Sequence, residues 1–151
     1  MQQTAAAGYD TDFALWAEGQ VAALREGRWA NLDVENLTEE IDGLTRRDRR
    51  EIRSRLTVLM MHLLKLRYQP ERASGSWRGT IKEQAREIGL VLKDSPSLRR
   101  ELPGFTVEVY SDARSQAAAE TEIPIANFPE APTPEFERAL QAALAAEDFE
   151  F

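Results

Sequence analysis

The chain has 151 residues, of which 42% are hydrophobic and 30% charged, and 26 acidic against 19 basic side chains give a net charge of −7. The absence of cysteine excludes disulfides, thiolate nucleophiles and zinc sites built on sulfur, and a single histidine excludes metal motifs that need two. No apolar run approaches the roughly 20 residues of a membrane span, and the N-terminus lacks the basic and apolar parts of a secretion signal. We therefore expect a cytoplasmic protein with no membrane segment.

The residue composition favours helices, because alanine, leucine, arginine and glutamate outnumber the β-branched residues that strands prefer. We expect an all-α fold, a single-domain bundle of about five to seven helices. The predicted organisation is a tail over residues 1–9, a helical domain over 10–130, and a C-terminal helix with an acidic tail over 131–151.

The first predicted helix starts at a capping residue, Asp10 or Thr11, and stops at Gly27. One of its faces is apolar and is expected to be buried; it carries Phe13, Trp16, Ala17, Val21 and Leu24.

A second helix is predicted to start at Asp33, and its apolar positions are Leu37, Ile41 and Leu44. Gly43 is expected to break or bend it, and a capping pattern at Thr45 predicts that a new helix begins there. This third helix, over 46–68, is expected to cross the middle of the bundle, because its apolar stripe widens to nearly every side between Val58 and Leu66.

The remaining boundaries follow from serine, proline and glycine. Ser74 or Ser76 is expected to cap the next helix, Ser95-Pro96 to mark its end, and Pro103-Gly104 to interrupt the chain before a helix that runs to about Ala119. Thr133-Pro134 predicts the start of a last helix ending near Ala146, followed by a frayed tail.

Charge divides the chain into three blocks. Residues 1–45 hold 2 bases and 9 acids, residues 46–100 hold 15 and 6, and residues 101–151 hold 2 and 11. The net charges are thus −7, +9 and −9. Such complementary blocks favour contacts between elements or between subunits, so we expect a homo-oligomer, most simply a two-fold dimer.

Six arginines lie within ten positions of the basic block: Arg46, Arg47, Arg49, Arg50, Arg53 and Arg55. They could bind phosphate or nucleic acid, or they could form ion pairs inside the protein or between subunits. The sequence pI near 4.9 favours ion pairs, so nucleic acid is not an expected partner.

A line of polar residues follows one face of the predicted central helix: Glu51, Arg55, His62, Lys65 and Gln69. It could line a cleft where His62 and Lys65 meet an acidic ligand or a carboxylate such as Glu39 or Glu40. Alternatively, each polar group satisfies a neighbouring helix, and His62 hydrogen-bonds a buried group there. We favour the second interpretation. The candidate ligand-binding residues are Arg55, His62, Lys65 and Gln69, with Arg72 and Trp77 from the following loop.

No phosphate loop, dinucleotide glycine pattern, di-iron pair or nucleophile elbow occurs in the sequence. We expect neither a metal nor a cofactor, and enzymatic activity is not favoured.

Several strings in order resemble the bacterial family called domain of unknown function 29, over roughly residues 8–130. They are Tyr9-Asp10-Thr11-Asp12-Phe13 with Trp16, Leu32-Asp33-Val34-Glu35-Asn36-Leu37 with Glu39-Glu40-Ile41, His62-Leu63-Leu64-Lys65, Tyr68-Gln69-Pro70, Ser76-Trp77, and Ser95-Pro96-Ser97-Leu98. The resemblance implies a compact cytoplasmic helical domain with no established activity or cofactor. It adds that His62, Lys65, Gln69 and Trp77 occupy motif positions, but no residue role can be carried over.

The leading hypothesis is therefore a cytoplasmic helical module for self-association or for binding a protein partner. The alternatives are a small enzyme or ligand-binding protein with a polar cleft around His62, Lys65 and Gln69, and a nucleic-acid-contacting protein that uses the arginines of 46–55.

Overall fold

The structure is a computed structural model that describes residues 8–151, so most of the predicted tail lies outside it. Over these residues the chain is an all-α single domain without strands, as predicted. Its five α-helices are α1 (Phe13–Arg25), α2 (Val34–Tyr68), α3 (Gly75–Asp94), α4 (Leu102–Thr121) and α5 (Pro134–Leu144). Four short 3-10 helices connect them: Trp29–Asn31, Pro70–Arg72, Pro96–Glu101 and Ile125–Asn127. None of the helices in this range is long and apolar enough to cross a membrane.

The chain divides into two compact units at the bond between Arg47 and Asp48. The first unit contains α1 and the start of α2. Asp12, rather than Asp10 or Thr11, caps α1, because residues 8–11 form a turn and the Asp12 carboxylate accepts the N–H of Leu15 at 3.0 Å. Gly27 follows α1 in the left-handed conformation, with φ of 68°, which confirms the predicted stop.

Helix α2 is continuous through Gly43, so the predicted break and the predicted new helix at Thr45 are both wrong. The hydroxyl of Thr45 donates to the carbonyl of Asp42 three residues earlier, which is a bond made inside a helix, not a cap. A glycine costs a helix only about 1 kcal/mol relative to alanine, and the strong helix formers around Gly43 offset that cost.

The core of the second unit is built around the C-terminal part of α2. Ile52, Leu56, Leu59, Met60 and Leu63, the predicted apolar stripe, are fully buried, and the prediction of a helix that is apolar on nearly every side is confirmed. The other helices add residues to the same core: Ile81, Ala85, Ile88 and Leu92 from α3, Phe105, Val109, Tyr110, Ala113 and Ala117 from α4, and Phe136, Ala139, Leu140 and Ala143 from α5.

Proline and threonine set the later boundaries. Ser95-Pro96 follows the end of α3 and the Thr133 hydroxyl caps α5, both as predicted. Pro103-Gly104, however, lies inside the first turn of α4 and does not interrupt it. Proline is tolerated there because the first N–H groups of a helix have no intrahelical acceptor.

The C-terminal tail is more ordered than the predicted frayed end, because Phe149 packs against the core. The guanidinium of Arg78 lies 5.3 Å from the centre of the Phe149 ring, and its Nη1 lies 3.5 Å from the carbonyl oxygen of the same residue.

The proline-rich segment between α4 and α5 is fixed by side chains of α4. Arg114 donates to the carbonyls of Phe128 at 3.1 Å and Ile125 at 3.0 Å, and the Tyr110 hydroxyl donates to the carbonyl of Pro129 at 2.9 Å. The Phe128 ring is buried against Tyr68, with 5.2 Å between ring centres. This segment therefore contributes to the core although it has little regular structure.

Candidate functional site

The polar line on α2 lies in the second unit, and its first pair bonds to α3. Arg55 Nε donates to Glu51 at 3.0 Å along α2, and its Nη1 donates to the Gln84 side chain at 3.2 Å. The guanidinium also lies 3.7 Å from Glu87. Arg55 is thus held by three acceptors before any ligand is considered.

Lys65 is the most buried member of the line. Its Nζ lies 2.7 Å from Glu120 on α4 and 4.3 Å from the centre of the Trp77 ring on α3, and its side chain is 9% exposed. An ammonium between a carboxylate and an aromatic face is stabilised by both. The acidic partner is therefore Glu120, not the expected Glu39 or Glu40.

His62 is half-buried, and its Nδ1 lies 2.9 Å from the carbonyl of Val58 one turn earlier in α2. The expectation that it bonds a group on a neighbouring helix is therefore wrong. Gln69, at the end of α2, donates to the carbonyl of Thr121 at 3.2 Å and so ties α2 to the end of α4.

Of the two candidates expected in the loop after α2, Trp77 contacts a residue of the polar line, Lys65, and Arg72 does not. Trp77 is half-buried against the core beside Lys65. Arg72 is exposed in the 3-10 helix after α2 and has no ion-pair partner within residues 8–151. Of the six candidates, only Lys65 and Trp77 are thus in contact with each other. The six do not form one common site.

The arginine cluster is largely paired. Arg49 makes two bonds of 2.9 Å to Glu101, which lowers the pKa of that carboxyl below its usual value, and Arg53 pairs with Glu108 at 3.0 Å. Arg46 pairs with Glu39 at 2.6 Å, while Arg47 lies 4.0 Å from Glu40. With Arg55 already assigned, Arg50 alone of the six has no carboxylate partner among the described residues.

The first unit contains a feature that the sequence did not assign to a site, an open apolar groove between α1 and the start of α2. Its volume is about 360 Å³, and we call it the α1–α2 groove. It is lined by Phe13, Trp16, Ala17, Gln20, Val21, Leu24, Leu37, Glu40, Ile41, Leu44 and Arg47. These include the apolar face of α1, which was expected to be buried, and the predicted apolar positions of the second helix, Leu37, Ile41 and Leu44.

A polar network around Asp33 fixes the geometry of this unit. The Asp33 carboxylate accepts the indole N–H of Trp16 at 3.0 Å and the side-chain amide of Asn36 at 2.7 Å, while the backbone N–H of Asp33 donates to Gln20 at 2.7 Å. The Asn36 hydrogen bond is the main reason why the pKa of Asp33 lies below its usual value. Trp16 and Gln20 are buried, so the walls of the groove are held in place by satisfied polar groups.

The hydroxyl of Tyr9 donates to Glu40 at 2.7 Å, and its ring packs edge-on against Trp16 with 4.8 Å between centres.

The α1–α2 groove could be predicted only in part from the sequence. The two apolar stripes were evident, but nothing in their spacing tells how many helices are present to cover them.

Comparison with known proteins identifies a family but no individual relative. No match was found among curated proteins or among solved structures. The family model described as "Domain of unknown function DUF29" matches residues 9–144. The match extends beyond the expected end at residue 130 and includes α5, so the last helix is a family feature. The chain therefore belongs to the DUF29 family.

Proposed function

We propose that this chain is a cytoplasmic helical module that self-associates, and that two copies join through the α1–α2 groove. The observation that carries the proposal is the groove itself: two adjacent helices turn their apolar stripes toward a shared open space.

The groove exposes large apolar side chains from both helices. Five of its side chains are exposed: Phe13 51%, Val21 44%, Leu24 45%, Ile41 62% and Leu44 56%. Eight of the twelve large exposed hydrophobic residues of the described chain lie in the first unit. A concentrated apolar patch of this kind is typical of an interface.

A second copy is the occupant that fits best. A helical hairpin buries its apolar side fully when another hairpin packs on it, and two identical hairpins then form a four-helix bundle. A two-fold axis uses the same surface on both subunits, as a single groove on each chain requires.

The charged groups of the groove favour an apolar contact between the two copies. Two charged side chains, Glu40 and Arg47, line it, and they lie 4.0 Å apart within one chain. The apolar side chains therefore remain as the surface that a second copy can cover, as at the core of a protein–protein interface.

The contacts on α2 support this proposal over the two alternatives. Lys65 and Arg55 already have acidic partners in the chain, which leaves fewer free groups for a catalytic cleft. Five of the six clustered arginines are paired with carboxylates, which reduces the number of free cations for phosphate contacts.

Light scattering coupled to size exclusion tests the proposal with a matched pair of variants. The monomer mass is 17.1 kDa, so we expect a species of about twice that mass for the parent chain. Leu44→Glu should shift it to monomer, because it places a charge in the groove. Leu90→Glu is the control, since Leu90 is 47% exposed on α3 and does not line the groove.

A parent chain that stays monomeric at 100 µM or above would overturn the proposal. So would an oligomer that Leu44→Glu and Leu90→Glu disturb equally, because the interface would then lie elsewhere.

A further inference from the structure

The second unit contains a cavity of about 470 Å³ that the proposed function does not use. It lies between α3 and the chain from the end of α5 to Phe149. Small side chains create the space: Ala85 and Gly89 on α3 face Ala143, Ala145 and Ala146. A Cβ atom placed on Gly89 would have no neighbouring heavy atom within 4 Å, so this part of the wall opens onto unfilled space.

The inner wall of the cavity is apolar. Ile81 is 1% exposed and forms part of it, together with Leu144 and the ring of Phe149. Arg78 holds Phe149 through its contacts to the ring and to the carbonyl. Volumes of roughly 300–1,000 Å³ with apolar walls and a few charged groups are typical of small-molecule sites.

Cations line the α3 edge of the cavity. Arg78, Lys82 and Arg86 recur every four residues along about 12 Å of one helix face. Lys82 has no ion-pair partner within residues 8–151, whereas Arg86 pairs with Glu87. Glu147 and Asp148 on the opposite side form no ion pair with these cations. The lining thus has three positive and two negative groups in a chain whose net charge is −7.

We propose that this cavity binds a small organic anion with an apolar body, such as a medium-chain or aryl carboxylate. The anionic head lies at Lys82 and Arg78, and the apolar body occupies the space between Ile81, Gly89 and Phe149. Arg78 and Lys82 have no carboxylate partner within residues 8–151 and can hold an anionic head, and the small residues leave room for its body. The site lies in the second unit, so it is independent of self-association through the α1–α2 groove.

Calorimetric titration with three ten-carbon probes tests the ligand class. Decanoate, decanol and decylamine share the same tail and differ in the charge of the head. We expect decanoate to bind at least tenfold more tightly than either of the other two. Equal affinities would overturn the anion preference, and a preference for decylamine would reverse it.

Two matched pairs of variants test the location. Gly89→Leu fills the cavity and should weaken decanoate binding at least tenfold, whereas Gly79→Leu, at an open position of α3 outside the lining, should not. Lys82→Gln removes a cation that has no ion-pair partner within residues 8–151 and should weaken binding three- to tenfold, whereas Lys93→Gln near the end of α3 should not.

Circular dichroism and melting temperature establish that each variant is folded before titration. Should Gly89→Leu not fold, the Lys82→Gln and Lys93→Gln pair decides, because both residues are exposed. Decanoate binding that is unchanged in Lys82→Gln would overturn the proposed site.

Discussion

The ammonium group of Lys65 lies 2.7 Å from the carboxylate of Glu120, and this bond joins the last turn of α2 to α4. The two partners differ in environment: the Lys65 side chain is 9% exposed and that of Glu120 is 48% exposed. The cation is therefore the member that depends on the pair, because it has little access to water.

Removing the carboxylate should destabilise the protein more than removing an exposed one on the same helix. We expect Glu120→Ala to lower the free energy of unfolding by about 1 to 2 kcal/mol, because a buried ammonium loses its acceptor. Glu108→Ala is the control, since the Arg53–Glu108 pair is 36% and 55% exposed and should contribute less than about 1 kcal/mol. Urea denaturation measures both; equal losses would contradict the argument.

The histidine should contribute little to stability. The Val58 carbonyl that contacts His62 Nδ1 also accepts the backbone N–H of the same residue in a regular helix, so removing the ring leaves no buried group unpaired. We expect His62→Leu to melt at or slightly above the temperature of the parent chain. A loss of more than about 1 kcal/mol in thermal unfolding would mean that the ring satisfies another group.

Glycine substitutions distinguish a helical glycine from one in a turn. Gly43→Ala should stabilise the chain by about 0.5 to 1 kcal/mol, because a Cβ there meets only the end of the Arg46 side chain at 3.8 Å. Gly27→Ala should destabilise it by about 1 kcal/mol, since φ there is 68°. Thermal melts of the two variants should move in opposite directions; a loss of stability in Gly43→Ala would indicate that α2 bends at that residue.

The first unit should weaken in acid in a way that depends on Asp33. Its pKa lies below the usual value of 3.8, so its stabilising contribution is present above about pH 4 and is lost as the pH falls through the lowered pKa. Carboxyl NMR should show that Asn36→Ala raises the pKa of Asp33, because it removes the main hydrogen bond.

The indole N–H resonance of Trp16 reports the same titration, since the indole donates to Asp33. In Asp33→Asn this signal should lose the pH dependence that it shows below about pH 4. An unchanged titration in that variant would place the responsible carboxyl elsewhere.

Nucleic acid should bind weakly at most. Paired arginines release few counterions when they meet phosphate, and a net charge of −7 opposes approach. Fluorescence anisotropy with labelled duplex and single-stranded DNA and RNA at physiological salt should give no dissociation constant below about 1 µM. Arg50→Ala should change nothing, although Arg50 has no carboxylate partner among residues 8–151.

Much of the fold could be predicted from local sequence. The Asp33 carboxylate accepts the backbone N–H of Asn36 at 3.3 Å and so caps α2. This cap, the cap at Thr133, the stop at Gly27 and the end of α3 at Ser95-Pro96 all depend on nearby residues, and each was predicted. The continuous α2 was not, because a single glycine weakens a helix by an amount that neighbouring residues readily offset.

The contacts of the candidate residues were less predictable, because they depend on which helices become neighbours. The distance between Lys65 and Glu120 in sequence is 55 residues, and no periodicity identifies such a partner. The open α1–α2 groove was missed for a related reason. An apolar stripe indicates that one face of a helix must be buried, but it does not reveal whether the residues that bury it belong to the same chain.

The anchoring of residues 122–133 by Tyr110 and Arg114 has a practical consequence for anyone who trims or cleaves this protein. The prolines of this stretch have no backbone N–H to donate, which limits the hydrogen bonds that the backbone can form with itself. The carbonyls of the stretch accept hydrogen bonds from side chains of α4 instead. An endoprotease must bind an extended strand in its active site, so cutting here would first require Phe128 to leave the core. A truncation that ends the chain in this stretch would likewise expose apolar surface. The irregular backbone of residues 122–133 therefore does not mark an interdomain linker.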